Sequence, residues 1–244
     1  MKRLKLFLTI ALLALNGVFA GYDADHLIAH VKCAIEVAEK NSSKLNGNPG
    51  TLAIPGMTGL KYRHFLNNLT SLSGVNYLEV GCWKGSTTIA ALYGNSSTIN
   101  QAIAIDNFSE FQNEDIRTAL FANIDHFAKE CNLNFYDEDA FSIDKTKVFK
   151  EPIDIYFYDG NHSFESQRKA FTYFNDIFSD VFIAVVDDYT WDDVRGGTMK
   201  AFHELGYEIL YMRELGNYQE NGLHSNGQTW WNGVLVAVVK KPSK

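Results

Sequence analysis

Short apolar segments alternate with amphipathic ones along most of this 244-residue chain. The segments with the length and composition of strands are Asn76–Val80, Ala102–Ile105, Asn132–Tyr136, Ile153–Tyr158, Val181–Val186, Tyr207–Tyr211 and Val234–Val239. Between the first six lie the helical stretches Ser86–Leu92, Glu114–Glu130, Ile143–Phe149, Ser163–Phe178 and Asp193–Leu205. Strands joined through helices form a parallel sheet that is covered by helices on both faces. The pattern therefore predicts a doubly wound α/β fold.

No helix separates the last two predicted strands, so we expect them to form an antiparallel pair. Their connection, Met212–Asn232, is long and rich in Gly, Asn and Trp, which is typical of a functional or disordered loop. Ahead of the first strand, the spacing predicts a helix over Asp23–Lys40, capped by Asp23 and stopped by Asn46-Gly47, and another over Leu60–Leu72. The expected architecture is a mostly parallel seven-stranded sheet with an antiparallel last strand and N-terminal helices.

The first twenty residues have the pattern of an export signal. Lys2, Arg3 and Lys5 precede the apolar run Leu6–Ala20, which ends in Val18-Phe19-Ala20 and is short for a membrane span. The pattern indicates export, with the bacterial periplasm as the expected compartment, or an N-terminal anchor; a cytoplasmic protein is the alternative. We divide the chain into residues 1–20, an N-terminal helix and loop over 21–56, and a main domain over 57–244.

Charge narrows the class of partner. The formal net charge is −7, and beyond residue 20 there are 19 basic and 29 acidic residues, or −10. Because no basic run or stripe remains there, we expect no nucleic-acid partner, and no stable membrane span in a mature chain.

A buried strand, a turn with two glycines and a helix follow one another in Tyr77-Leu78-Glu79-Val80-Gly81-Cys82-Trp83-Lys84-Gly85-Ser86-Thr87. Glycines at such a turn let the backbone approach a ligand, and the helix N-terminus offers free N–H donors. A dinucleotide-binding turn would have glycine where this chain has Trp83, which counts against a nucleotide-dependent oxidoreductase. The turn alone is also compatible with a purely structural role.

A carboxylate follows the second strand, at Asp106, 25 positions after Gly81. An acid at this strand end can accept both hydroxyls of a ribose. The alternative is that Asp106 caps the following helix.

Together, the glycine turn and this acid resemble the class I S-adenosylmethionine (SAM)-dependent methyltransferases, over roughly Met57–Val239. The resemblance implies a Rossmann-like methyltransferase domain over residues 57–244, with SAM as its cofactor. It assigns cofactor binding to the turn, the acid and the end of the third strand, through Glu79, Gly81, Gly85, Asp106, Asp139 and Ala140.

More acidic residues follow the fourth and fifth strands. Asp159-Gly160-Asn161-His162 follows the fourth strand, and Asp187-Asp188 follows the fifth. The carboxyl ends of parallel strands meet at one sheet edge, where three carboxylates would repel one another unless protonated or neutralised by a cation. A hard divalent ion, with Mg²⁺ as the candidate, meets that need. Because neighbours on a strand point to opposite faces, Asp187 and Asp188 can act together only if the chain turns there.

This arrangement resembles metal-dependent small-molecule O-methyltransferases of the macrolide-sugar and catechol type. The resemblance makes Asp159, Asp187 and Asp188 the metal ligands and His162 the base, with a small hydroxylated acceptor such as a sugar or catechol. Tyr189, Trp191, Trp230 and Trp231 are candidates for an acceptor pocket. The alternatives are that the acids are turn or cap residues, that the chain is a non-catalytic exported module with this fold, or that it is an oxidoreductase.

Overall fold

A computed structural model describes residues 21–110, 114–216 and 229–243. The helices are α1 (Ala24–Glu39), α2 (Pro49–Leu52), α3 (Leu60–Leu69), α4 (Ser86–Leu92), α5 (Glu114–Phe127), α6 (Lys145–Val148), α7 (Phe164–Phe174) and α8 (Asp192–Glu204). The strands are β1 (Val75–Val80), β2 (Ile99–Ile105), β3 (Leu133–Tyr136), β4 (Ile153–Tyr158), β5 (Phe178–Val186), β6 (Glu208–Leu215) and β7 (Val234–Lys240). The export-like segment and the middle of the long connection before β7 lie outside the described residues.

The strands form one seven-stranded sheet in the order β3-β2-β1-β4-β5-β7-β6. Neighbours from β3 through β5 pair in parallel, whereas β7 is antiparallel to both β5 and β6. The predicted doubly wound sheet with an antiparallel last strand is therefore confirmed. No helix in the described part of the chain is long and apolar enough to cross a membrane.

From β1 the chain adds β2 and β3 on one side of the sheet, and from β4 it adds the later strands on the other side. The strand order therefore reverses between β1 and β4. The register aligns their ends: Val80 of β1 pairs with Ile105 of β2 and with Tyr158 of β4, which in turn pairs with Val186 of β5. In such sheets, ligands bind beside the carboxyl ends of the strands where the order reverses.

Alternating strand residues build a core on each side of the sheet. In β4, Ile155 and Phe157 join the core that also contains residues of α1 and α3, whereas Tyr156 and Tyr158 join the core under α7 and α8. All four side chains are at most 1% exposed. Burial on both faces explains why these four successive residues are all large aliphatic or aromatic side chains instead of alternating with polar ones.

Several predicted boundaries differ from the structure; among them, Phe178 is the first residue of β5 and not the last of the preceding helix, which ends at Phe174. Helix α1 ends at Glu39, within one residue of the predicted Lys40, but Asn46-Gly47 is not its stop: Asn41 adopts a left-handed conformation (φ 50°), and Ser43 and Asn46 form the capping box of a separate 3₁₀ turn. Strand β6 extends to Leu215 instead of Tyr211, since β7 offers hydrogen-bonding partners along its whole length.

Helices α7 and α8 pack closely through a glycine. A Cβ at Gly197 of α8 would overlap the main-chain oxygen of Phe164 and come within 2.7 Å of the Gln167 Cβ. Both contacts belong to α7, so the separation of the two helices depends on the missing side chain.

We therefore expect Gly197→Ala to lower the free energy of unfolding by about 1–3 kcal/mol, the usual cost of overpacking. Alanine would otherwise favour the helix by about 1 kcal/mol, so the sign of the change reports the contact. The measurement is denaturant unfolding. The control is Gly47→Ala, where an added Cβ meets nothing within 4 Å; a Gly197→Ala protein as stable as this control would contradict the packing.

Candidate functional site

The carboxyl ends of β1 to β5 open into a cavity of about 610 Å³. Its walls include Gly81 after β1, Asp106 after β2, Asp139 after β3, Asp159 after β4 and Asp187 after β5. A cavity of this volume suits a cofactor together with a small molecule.

The first turn brings the backbone of β1 against that of β4. Gly81 has a φ of 90°, and a Cβ there would overlap the main-chain oxygen of Asp159. Gly85 (φ 85°) begins helix α4, and Trp83 between them also has a positive φ, 45°. Only glycine fits the contact at Gly81, while Trp83 adopts a conformation that is costly for a side chain of its size.

Asp106 is bound to the turn by main-chain hydrogen bonds. Its Oδ2 accepts from the amides of Cys82 (2.7 Å) and Trp83 (2.9 Å), and its Oδ1 accepts from the Phe108 amide (2.7 Å). The carboxylate is half-buried and faces the cavity. Helix α5 begins only at Glu114, so Asp106 is not its cap. The bonds fix the carboxylate where it retains lone pairs for a ligand's hydroxyls.

Glu79 and Gly85, both assigned to cofactor binding by the resemblance, are not among the residues that line the cavity. Glu79 is fully buried beneath the turn, where its Oε1 accepts from the hydroxyls of Thr87 (2.7 Å) and Thr88 (3.0 Å) and its Oε2 from Tyr77 (3.0 Å). Burial raises the pKa of Glu79 to about 7, although the three hydroxyls oppose the rise. In this structure Glu79 supports the turn from below.

The end of β3 contributes a second part of the wall. Asp139 and Ala140 line the cavity, and Asp139 Oδ1 accepts from the Phe141 amide at 2.9 Å. Phe141 stacks on Tyr158, with ring centroids 6.4 Å apart. Phe108 and Phe141 also line this end, which sequence reasoning missed because aromatic residues in loops give no pattern of their own.

The acidic residues after β4 and β5 meet in the cavity with a histidine. Asp159, Asp187, Asp188 and His162 all line it. Asp188 has a φ of 51°, so the chain turns directly after β5 and brings both neighbouring aspartates to one cavity. His162 Nε2 lies 3.1 Å from Asp188 Oδ2 and 3.6 Å from Asp159 Oδ1.

Burial raises the pKa of all three carboxyl groups, and repulsion between the carboxylates adds to the rise for Asp159 and Asp187. The pKa of Asp187, which is 3% exposed, rises well above its ordinary value through burial and through the charges of Asp159 and Asp188. The pKa of Asp159 rises through burial and the charge of Asp188, partly offset by a side-chain hydrogen bond with Asp187. Burial also raises the pKa of Asp188.

The carboxylate oxygens of Asp159, Asp187 and Asp188 are suitable ligands for a divalent cation, although they do not converge in the geometry of a metal site. The Oδ1 atoms of Asp187 and Asp188 are buried and accept no hydrogen bond from the described residues. Such carboxylate oxygens are the ligands that Mg²⁺ prefers. Within residues 21–110, 114–216 and 229–243, however, no three His, Cys, Asp or Glu side chains converge to hold a metal ion. The Asp159–Asp187 hydrogen bond occupies oxygen atoms that a cation would need.

Two of the four aromatic candidates for the acceptor pocket line the cavity. Trp191 is 45% exposed, with its ring 5.1 Å from that of His162, and Trp231 lines the same space. Trp230 is buried instead and donates to Glu39 through its indole nitrogen (3.0 Å). Tyr189 is also buried and belongs to the core under α8.

Asn232 is a cavity residue that sequence reasoning missed. It lines the cavity just before β7, and its side chain hydrogen-bonds the Asp188 carboxyl. The two residues are far apart in the chain and meet only because β7 pairs with β5, so no local pattern could have indicated the contact.

Comparison with known proteins shows what the chain resembles. A family model described as a methyltransferase domain matches residues 78–189, which include Gly81, Asp106 and all three aspartates of the acidic cluster. Comparison with curated proteins gave no significant match.

Solved structures resemble the whole fold at low sequence identity. An O-methyltransferase from Bacillus cereus in complex with SAH matches with a TM-score of 0.53 at 15% identity, over 93% of this chain and 96% of that one. A candidate caffeoyl-CoA O-methyltransferase from Staphylococcus aureus gives 0.54 at 14%, over 87% and 99%. TrmN from Thermus thermophilus gives 0.55 at 12%, over 80% of this chain and only 52% of TrmN. At these identities the likeness shows the fold.

The buried carboxyl group of Glu79 leads to a prediction about stability and pH. Between pH 4.5 and about 7 the folded protein keeps a proton on Glu79 that the unfolded chain has released, so this group's contribution to stability falls as the pH rises through that window. Glu79→Gln removes this titration. Across that pH window, the free energy of unfolding of the variant should therefore fall by roughly 3 kcal/mol less than that of the wild type.

Denaturant unfolding at several pH values between 4.5 and 7.5 measures this difference. Glu151→Gln, at an exposed glutamate, is the matched control and should reproduce the wild-type profile. An equal pH slope for Glu79→Gln and wild type would show that Glu79 is already ionised in the fold.

Proposed function

We propose that this chain is a class I SAM-dependent methyltransferase that methylates a hydroxyl oxygen of a small acceptor, which its fold and the family match over residues 78–189 support. One observation carries the proposal. His162 and three aspartates share a single cavity with the glycine turn and with Asp106. A proton acceptor and a cofactor-binding wall therefore face the same space, as methyl transfer to a hydroxyl requires.

The wall formed by the ends of β1, β2 and β3 fits SAM. At Gly81 the backbone itself forms the surface, and Asp106 presents a carboxylate held by the Cys82 and Trp83 amides. We assign the ribose hydroxyls to Asp106 and the adenine to the Asp139-Ala140 end. When bound there, SAM supplies a methyl group on a sulfonium.

The ends of β4 and β5 provide the acid–base chemistry. His162 is placed to accept the proton of the acceptor hydroxyl. Asp188, 3.1 Å from its Nε2, would orient the ring and stabilise the imidazolium that forms. Asp159 lies 3.6 Å from the same nitrogen and adds to that stabilisation.

We also propose that Asp159, Asp187 and Asp188 hold Mg²⁺. The buried, unbonded oxygens of Asp187 and Asp188 support this assignment. When bound, the ion would lower the pKa of an acceptor hydroxyl beside it. The acceptor would then be a vicinal diol or a similar compound with two neighbouring oxygens, such as a sugar or a catechol.

The first test is cofactor binding. SAM or its demethylated product should raise the melting temperature by several degrees at about 100 times its Kd, because a ligand at that excess stabilises the native state by about 2.7 kcal/mol. Asp106→Ala should abolish most of this shift, since the ribose hydroxyls lose their acceptor. Asp137→Ala is the control, because Asp137 is an exposed neighbour that pairs with Arg117 outside the cavity. Stabilisation by NADH but not by SAM would favour the oxidoreductase alternative.

The second test is turnover with SAM and a neutral catechol. His162→Gln should lower kcat by about 10²–10⁴-fold, the usual contribution of general base catalysis, while leaving SAM binding unchanged. His203→Gln, at an exposed histidine of α8, should behave as wild type. Undiminished turnover in His162→Gln would remove His162 as the base.

Chelation tests the metal assignment separately. Removing divalent ions should abolish turnover, added Mg²⁺ should restore it, and Asp159→Asn should prevent the recovery without affecting SAM binding. If turnover survives the chelator but not His162→Gln, the base works through its contact with Asp188 and the metal assignment is wrong.

A further inference from the structure

The walls of the cavity carry negative charge almost without compensation. Asp106, Glu110, Glu138 and Asp139 line the end formed by β1 to β3, and the three aspartates of the acidic cluster line the other. Among the described lining residues there is no Lys or Arg, and His162 is the sole histidine. Residues 111–113 and 217–228, the internal stretches outside the described part, contain no Lys or Arg in sequence either.

Three cations lie against aromatic rings that line the cofactor end. Lys84 Nζ is 4.6 Å from the centre of the Trp83 ring, and Lys169 Nζ is 4.4 Å from that of Phe141. The Arg117 guanidinium stacks at 4.9 Å on Phe108 and pairs with Asp137. None of the three cations lines the cavity. Among the described residues that line it, the acceptor end therefore has no lysine or arginine to pair with an anionic group.

Neither protonation state of the acidic cluster alters this conclusion. Ionised carboxylates repel an anionic acceptor, and with one divalent ion bound, three of them still leave a net negative charge. Protonated carboxyls would remove the repulsion but would supply no cation. A carboxylate or phosphate on the acceptor would lose its water of hydration without gaining a charged partner.

The exposed surface at this end is aromatic. Trp191 presents an indole that is 45% exposed, 5.1 Å from the His162 ring, and Trp231 lines the same space. An indole face stacks on planar rings and attracts organic cations. Glu110 follows β2 but reaches the acceptor end, where its Oε1 accepts a hydrogen bond from the Asn161 side chain at 3.3 Å.

Resting on the O-methyltransferase function proposed above, we infer that the acceptor is a hydroxylated aromatic compound that is neutral or positively charged. Acceptors with a carboxylate, a phosphate or a coenzyme A group are then rejected by charge. Selection of this kind comes from the cavity walls and is independent of whether a metal ion takes part.

Three catechols with the same reacting hydroxyls test the inference. They are 4-methylcatechol (neutral), 3,4-dihydroxyphenethylamine (cationic) and 3,4-dihydroxyphenylacetate (anionic). We expect kcat/KM for the anion to be at least tenfold below that for the cation, with the neutral compound between them or equal to the cation. The ratio should shrink at high ionic strength, because salt screens exposed charges. Equal or better use of the anion would overturn the inference.

Glu110→Lys reverses one charge at the rim without touching the proposed catalytic residues. It should raise kcat/KM for the anionic catechol, lower it for the cationic one and leave the neutral one unchanged. Glu36→Lys, on the exposed face of α1, is the matched control and should change none of them. If the ratio of kcat/KM for the anionic to the cationic catechol is the same in Glu110→Lys as in the wild type, the inference is contradicted.

Failure of the proposed reaction can be distinguished from failure of the charge selection. If none of the three compounds is methylated although SAM binds, the assigned reaction fails, and charge selection is then measured by calorimetric binding of the same compounds in the presence of SAH. Tighter binding of the cation than of the anion would support the inference, whereas the reverse order or no binding of any catechol would overturn it.

Discussion

The parallel hydrogen bonding of β1 with β2 and β4 aligns the strand ends from which the site is formed. The Gly81 amide donates to Ile105 of β2 at 2.9 Å, and the Asp159 amide of the β4 end donates to Val80 of β1 at 2.8 Å. These bonds continue the strand pairing by one residue beyond the strands. As a result, the glycine turn, Asp106 and the acidic residues after β4 and β5 lie together at the same edge of the sheet. A slip of one residue would turn these side chains towards the other face.

Gathering acids at one edge has a cost that the surrounding structure offsets in two ways. Asp106 accepts hydrogen bonds from three main-chain amides. In the acidic cluster, burial raises the pKa of the carboxyl groups, and His162 Nε2 lies 3.1 Å from Asp188 Oδ2. The two ends of the cavity therefore differ electrostatically although both are acidic. Strained backbone accompanies both ends, since Trp83 and Asp188 have positive φ.

Much of the site was predictable because its residues follow strands. Gly81, Asp106, Asp139, Ala140, Asp159, His162, Asp187 and Asp188 all line the cavity. Glu79 and Gly85 are the exceptions: the Glu79 side chain enters the interior from the buried strand and supports the turn, and Gly85 is the N-cap of α4. Phe108, Phe141 and Asn232 were missed. Their positions depend on how loops fold over the sheet edge and on the pairing of β5 with β7.

The sequence by itself determined the alternation of strands and helices, and thereby the parallel sheet and the edge at which its polar residues collect. Periodicity and strand ends are local properties, so they can be recognised without coordinates. Only the tertiary structure decided that Asp187 and Asp188 face one cavity, because that depends on the left-handed turn at Asp188. It alone also decided that Trp191 is exposed in the cavity while Trp230 is buried. Such outcomes arise from contacts between segments distant in the chain, and a linear pattern carries no record of them.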